Sequence, residues 1–220
     1  GLPWWTYDAG GFFRPYDQYS NEDYIERMIR WIQVGTFLPM MRVHGYMSNT
    51  EPWQYGPEAQ RIITEQIRLR YRLLPYIYSE ASRVTTEGYT LMRPLIFDFP
   101  DDTDALKQDN EYMFGQSLLV CPVTEKGVSQ WRVYLPENEG GWYDFRTGRK
   151  YGNGWSEVPV TIEDIPVFAK AGSILPLGPV KQHAAEKSDA PLTINVYPGA
   201  DACFNLFEDD GLSVDGSSST

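Results

Sequence analysis

Only two histidines and two cysteines occur in 220 residues, and basic side chains are outnumbered, 19 Lys and Arg against 30 Asp and Glu, for a formal charge of −11. A surface of that sign repels phosphate backbones and anionic headgroups. No basic cluster offsets it, so no nucleic-acid or membrane partner is expected. No apolar run approaches the ~20 residues that a membrane-crossing helix needs. Cys121 and Cys203 are too few and too far apart to define a disulfide framework or a zinc site. Cys121, within "SLLVCPV", reads as a small apolar residue of a buried strand. Cysteine usage leaves the compartment open, periplasmic or extracellular included. No spaced His/Cys/Asp set names a metal, no cofactor is implied, and no Ser or Cys triad is visible. The chain opens "GLPWW" without Met, which reads as a cut inside a longer protein.

Apolar residues make up 42% and aromatics 15%, enough for a sizeable core in one large or two small domains. The first third alternates strand and helix. "LPWWTYD" reads as a strand and "SNEDYIERMIRWIQVG" as a helix. Ser20 is its cap, Asp23 completes a weak capping box, and Gly35 ends it. "TFLPMMRVHG" reads as a second strand. Pro57 starts a long helical stretch that Pro75 should break or kink and Gly88 should close.

From about Thr90 short β-branched and aromatic runs follow one another between turn residues, the pattern of an antiparallel sandwich. "KQHAAEKSDAP" is polar, a linker or long loop. "LTINVYPG" and "ACFNLFEDDGLS" look like strands opening another β unit, with Asp210-Gly211 as a hairpin tip and "GSSST" as a disordered tail. Two βα units cannot close a sheet, and eight need about 250 residues. The fold class expected is therefore α/β plus all-β: the last two βα units of a (β/α)8 TIM barrel, then a β-sandwich. The boundaries are 1–89 for the barrel part, 90–180 for a proximal sandwich, and 181–220 for a linker and the start of a distal β domain. An isolated quarter-barrel should expose apolar surface and associate, or pack on the sandwich.

Polar residues at the C-terminal ends of barrel strands line active sites. Asp8 ends the first strand. Arg42 and His44 end the second and alternate with Val43, so both can point one way while Val43 packs. With Trp5 and Phe12 beside them, carboxylate, guanidinium and imidazole meet aromatic faces, which suits a sugar ring. Plainer roles stand beside these: Asp8 as a turn acid, His44 as a buried structural histidine, Arg42 as the partner of Glu51 or Asp8, and Trp4 and Trp31 as core. The acidic run Asp98, Asp101, Asp102, Asp104 lacks EF-hand spacing and reads as a solvated loop rather than a calcium site.

"WWTYDAGGFFRP", then "RWIQVGTFLPMMRVHG" and "EPWQYG", resembles glycoside hydrolase family 31, the family of α-glucosidases and α-xylosidases. "RLRYRLLPYIYSEA", "LMRPLIFDFPDD", "EYMFGQSLLVCPV", "GWYDF" and "PVFAKAGSILPLG" resemble it too, in the family's order. The likeness extends to about Gly211. It implies that Asp8, in the D-x-G-G-F turn, and His44 bind hydroxyls of the sugar in subsite −1. Phe12 then packs on that ring, Trp5 lines the same wall, and Arg42 supports the site.

Family members are retaining enzymes that use two aspartates, one as nucleophile and one as acid/base. Both lie upstream of the turn that matches Asp8, and nothing in this chain matches either motif. No catalytic residue is therefore assigned. The expected partners are an oligosaccharide substrate and the N-terminal remainder of the same polypeptide. "RVHGYMSNTEPWQYG", with Gly45 after His44, resembles bacterial α-xylosidases more than α-glucosidases. Two other readings are a carbohydrate-binding β module using Trp131, Trp142 and Trp155, and a buttress that contributes the interface of a homo-oligomer.

Overall fold

The computed structural model describes residues 3–212. Three helices carry its first part: α1 (Glu22–Thr36), α2 (Pro57–Arg72) and α3 (Leu74–Glu87). The cap of α1 is Asn21, not Ser20. Asn21 has the extended backbone that a cap requires, and its side chain accepts the Tyr24 N–H. The Ser20 hydroxyl instead turns back to donate to the Asp17 carbonyl. The apolar stripe of α1 (Tyr24, Met28, Ile29, Ile32) packs against Ala59, Ile62 and Ile63 of α2. Pro75 lies in the first turn of α3, where its missing N–H costs nothing, and the helical stretch divides just before it. Gly88 closes α3 in the left-handed conformation, φ 68°.

The two expected strands do not form a ladder. "LPWWTYD" and "TFLPMMRVHG" are irregular; they are joined by one parallel bridge, Ala9 to Val43, with the Ala9 N–H donating to the Arg42 carbonyl at 3.2 Å, and by one further backbone bond, from the Met40 N–H to the Trp5 carbonyl at 3.3 Å. Neither segment has a second hydrogen-bonded strand neighbour among the described residues, and Pro39 has no N–H to offer. Arginine side chains satisfy carbonyls that a ladder would have used. Arg70 donates to Thr36, Leu38 and Pro39 at 2.9, 2.5 and 2.9 Å. Burial lowers the pKa of this guanidinium to about 10.

The second part is an antiparallel sandwich. A six-stranded sheet runs in the order β1 (Met92–Pro94), β2 (Tyr112–Phe114), β3 (Leu118–Val120), β8 (Val167–Lys170), β5 (Trp142–Asp144), β6 (Lys150–Tyr151). The other pairs are β4 (Gln130–Leu135) with β7 (Gly154–Pro159), and β9 (Ser173–Leu177) with β10 (Thr193–Tyr197). The unbroken apolar run in β3 has a direct cause, since its sheet is buried on both faces. Leu118 and Val120 join Phe114, Val167 and Ala169 in a core with Leu175, Leu177, Leu73, Tyr76 and Ile77. Leu119 joins Met113, Phe168 and Trp142 in a second core under Val133, Leu135 and Val158.

The helical part packs on this sandwich. Arg30 donates to the Asp164 carbonyl at 2.6 Å, Gln33 to that of Ile162 at 2.8 Å, and the Tyr112 hydroxyl to that of Phe37 at 3.1 Å.

Several aromatic and loop expectations change. Trp142 is fully buried, so it is no surface platform, while Trp4, expected in the core, is exposed. "KQHAAEKSDAP" joins the paired strands β9 and β10. "ACFNLF" is not a strand: Phe204 stacks on Tyr76, and the Phe207 N–H donates to the Ser79 hydroxyl at 2.9 Å, so α3 side chains hold this segment. Asp209 and Asp210 accept the N–H groups of Gly211 and Leu212, a local turn, and the "GSSST" tail lies outside the described residues. The acidic run is engaged rather than merely solvated. Asp98 pairs with Arg93, Asp102 accepts the Tyr134 hydroxyl, and Asp104 pairs with Lys107.

One buried acid should make folding stability depend on pH. Glu111 accepts the Tyr134 N–H at 2.7 Å through Oε1, and its Oε2 is buried without a partner among the described residues. Burial raises its pKa from 4.5 to about 7, against a lowering by the Tyr134 N–H. A raised folded-state pKa stabilises fully below the unfolded value and is lost as pH climbs through the folded one. Glu111→Gln keeps the acceptor and removes the ionisation. It should match the parent near pH 4 and exceed it at pH 8 by on the order of 3 kcal/mol. Urea titrations of both proteins at the two pH values check this; equal differences at both would refute it.

Candidate functional site

The parallel bridge fixes which side chains share a face. Successive residues of an extended chain point to opposite sides. Ala9 is buried, and Val43 packs with it against the helices, in the core made by α1 and α2. Asp8, Arg42 and His44 therefore face the other way, away from the helices.

Arg42 Nε lies 2.9 Å from Asp8 Oδ1. Half the Arg42 side chain is exposed, so solvent screens the pair and its contribution to stability is small, ~0–1 kcal/mol. Its effect is orientation: the guanidinium is held against the Oδ1 side of the carboxylate. Asp8 is a turn residue as well, but through its backbone, whose carbonyl accepts the Gly11 N–H at 2.7 Å.

His44 is exposed rather than buried. Its ring is tilted against Phe12 with centroids 5.4 Å apart, and Tyr46 covers Phe12 further at 5.8 Å. The two loops are stitched together, the Tyr46 N–H donating to the Phe12 carbonyl at 2.7 Å and Gln18 Nε2 to Ser48 at 3.2 Å. Met47, in the same loop, is the one non-glycine residue with positive φ (48°) among those described.

The structure thus brings Asp8 to Arg42 and His44 to Phe12. Trp5 is placed differently. Its ring meets Tyr7 edge-on at 5.6 Å, and Tyr7 in turn meets Trp31, on the side of the chain that carries Ala9.

Arg14 was not singled out from the sequence. It donates to the Gly11, Ala9 and His44 carbonyls at 3.1, 3.0 and 3.1 Å and to the Tyr55 hydroxyl at 2.7 Å. An arginine three residues after a Gly-Gly turn was its only sequence signal. Burial lifts the Tyr55 pKa to about 12 despite the Arg14 charge beside it. Among the described residues no group of three or more His, Cys, Asp or Glu is placed to hold a metal ion.

Such a face can bind a polyol. It offers a partly exposed carboxylate, an imidazole, a guanidinium and aromatic rings for apolar C–H faces. It does not by itself present the two carboxylates at the separation that glycoside hydrolysis needs.

Comparison with known proteins identifies the family. A family model for the glycosyl hydrolases family 31 TIM-barrel domain matches residues 1–80, and one for the glycosyl hydrolase family 31 C-terminal domain matches residues 88–175. The chain is 44% identical to an alpha-xylosidase of Saccharolobus solfataricus over 98% of its own length and 29% of that protein's. It is 35% identical to neutral alpha-glucosidase C of Mus musculus, over 97% of the chain and 24% of the relative. Among solved structures, a family 31 alpha-xylosidase from Xanthomonas citri superposes with TM-score 0.89 at 40% identity, over 96% of this chain and 24% of that one. A family 31 dextranase from Flavobacterium johnsoniae, complexed with isomaltotriose, gives TM-score 0.89 at 38% identity, over 97% and 26%. The chain spans about a quarter of the length of these relatives.

Proposed function

Because this chain belongs to glycosyl hydrolase family 31, as the end of a TIM barrel followed by the C-terminal β-sandwich, we propose that it supplies the sugar-binding end of a retaining α-glycosidase. In this reading Asp8 and His44 bind hydroxyls of the subsite −1 sugar, and Phe12 packs on its ring. Arg42 orients Asp8, whereas Trp5, whose ring lies against Tyr7 on the other side of the chain, makes no contact with the sugar. The observation that carries it is the shared face: Asp8 and His44 at the ends of one parallel bridge, with the Phe12 ring against the imidazole. Nucleophile and acid/base come from the N-terminal remainder of the polypeptide, so the 220-residue chain alone does not hydrolyse glycosides. The division at 89 and 180 belongs to the same proposal, the third part being tied to the second through the β9–β10 pairing.

The substrate is a terminal, non-reducing α-linked xylose. Support comes from the Gly45 that follows His44 and from the likeness to alpha-xylosidases, against which stand relatives that are alpha-glucosidases. A xyloside differs from a glucoside by a missing hydroxymethyl group. A wall closed around C5 excludes that group by steric overlap, and an open one gains only modest selectivity. The full-length enzyme is expected to hydrolyse an aryl α-xyloside with kcat/KM at least about tenfold above the matching α-glucoside. Preference for the glucoside would overturn the xylose assignment and leave the α-glycosidase reading in place. Failure on both would overturn the latter as well.

A further inference from the structure

We infer that Arg14 is the positioning residue of this site, and that it and Gly45 form a matched pair. The inference rests on the assignment of Asp8 and His44 to the sugar. The two segments that carry them share one bridge, flanked by single backbone bonds from the Met40 N–H to the Trp5 carbonyl and from the Tyr46 N–H to the Phe12 carbonyl, and form no continuous ladder. Arg14 supplies what the ladder lacks. Nη2 bonds the Ala9 carbonyl on one segment at 3.0 Å and the His44 carbonyl on the other at 3.1 Å. Nε holds the Gly-Gly turn through the Gly11 carbonyl, and Nη1 anchors on the Tyr55 hydroxyl at 2.7 Å, beside the helix core. One rigid planar group with directed donors thus fastens three pieces of irregular backbone, a task for which an ammonium lacks the geometry.

The residue after His44 is tied to this arrangement. A Cβ at Gly45 would lie 2.7 Å from Arg14 Nε and 2.9 Å from Cζ. Gly45 does not have the positive φ that demands glycine, so the reason for glycine there is space. A flexible side chain would move aside, but this one is held by four hydrogen bonds. Any side chain at 45 must therefore displace the guanidinium or the His44 backbone. Gly10 is constrained from the same direction, its added Cβ falling 3.2 Å from Arg14 Nη2 as well as 2.5 Å from Met28 Sδ.

The test reads the His44 side chain itself, with His183, in the β9–β10 loop, as a control. In the full-length protein, the imidazole NMR signals of His44 and His183, each assigned by its loss on replacement with Gln, report on the site and on the internal control. Arg14→Met should shift and broaden the His44 signal several-fold and leave His183 unmoved; Arg14→Lys, which reaches fewer acceptors, should fall between. Gly45→Ala should disturb His44 in the parent and add little in the Arg14→Met background. In the full-length enzyme Arg14→Met should lower kcat/KM about 100-fold, as misplacement by about 1 Å does. A His44 signal that superimposes on the parent in Arg14→Met, or a Gly45→Ala effect equal in both backgrounds, overturns the inference. An intact enzyme inactive on both α-glycosides would overturn the function proposed above, while the NMR arm still decides the role of Arg14.

Discussion

Asp8→Ala in the full-length enzyme is expected to lower kcat/KM by about three to four orders of magnitude, with the melting temperature nearly unchanged. The two halves of that expectation have separate origins. The surface pair with Arg42 is half-exposed on the arginine side, so its loss costs little stability. Bound to sugar, the same carboxylate would accept from hydroxyls in a site closed to water. Each such charge-assisted bond is worth about 1.5–3 kcal/mol, and two of them reach the stated range. The bonds tighten as the ring moves toward its oxocarbenium-like transition state, so the loss should fall on kcat as well as KM. His44→Ala should fall within about tenfold of it. Arg42→Ala should cost less, about tenfold, because Arg42 orients Asp8 through one contact and Asp8 itself remains. Steady-state kinetics on an aryl α-xyloside, beside thermal melts, check the series. Near-normal turnover in Asp8→Ala or His44→Ala would remove these residues from subsite −1.

The same positions show what could be read before any coordinates. Pro75 and Gly88 act through their own backbone, one lacking an N–H and one free at positive φ, so the division and the end of the long helix were legible at single residues. The buried run "LLV" in β3 was legible for a similar reason, since hydrophobicity without alternation implies two covered faces. Asn21 was missed because Ser20 is an equally good cap by type, and only the local φ and ψ choose between them. The first two strands were overstated. Their composition suits a ladder, but a ladder also requires neighbours, and composition does not count them. At the site, Asp8, Phe12, Arg42 and His44 were nameable from a turn motif and an alternation. Arg14 was not, because its acceptors are mostly backbone carbonyls, which every residue has, and one of them lies 30 positions away.

Trp142→Ala, by contrast, should unfold the protein readily while Trp155→Ala should not. A sequence shows both as tryptophans in a β-rich stretch, and as possible sugar platforms they would be equivalent. Their surroundings separate them. Trp142 is fully buried in the core between the six-stranded sheet and the β4–β7 pair, beside Phe168 and Leu135. Its Nε1 donates to the Pro136 carbonyl at 2.8 Å. Truncation leaves a cavity in close-packed surroundings and an unpaired buried carbonyl, an expected loss of about 3–5 kcal/mol, a large share of a domain's whole stability. Trp155 is 43% exposed, and the Arg132 guanidinium sits over its ring at 4.1 Å. A ring already covered by a cation has little face left for a sugar, and its truncation should cost about 1 kcal/mol from lost packing and cation–π contact. Urea denaturation of the two variants separates the cases. Calorimetry with xyloglucan oligosaccharide adds the functional half: heat at millimolar sugar that disappears in Trp155→Ala would place a binding platform on the sandwich and contradict the account given of it. Absence of such heat, with the large stability loss confined to Trp142→Ala, assigns these aromatics to holding the sandwich together and leaves sugar recognition to the face around Asp8 and His44.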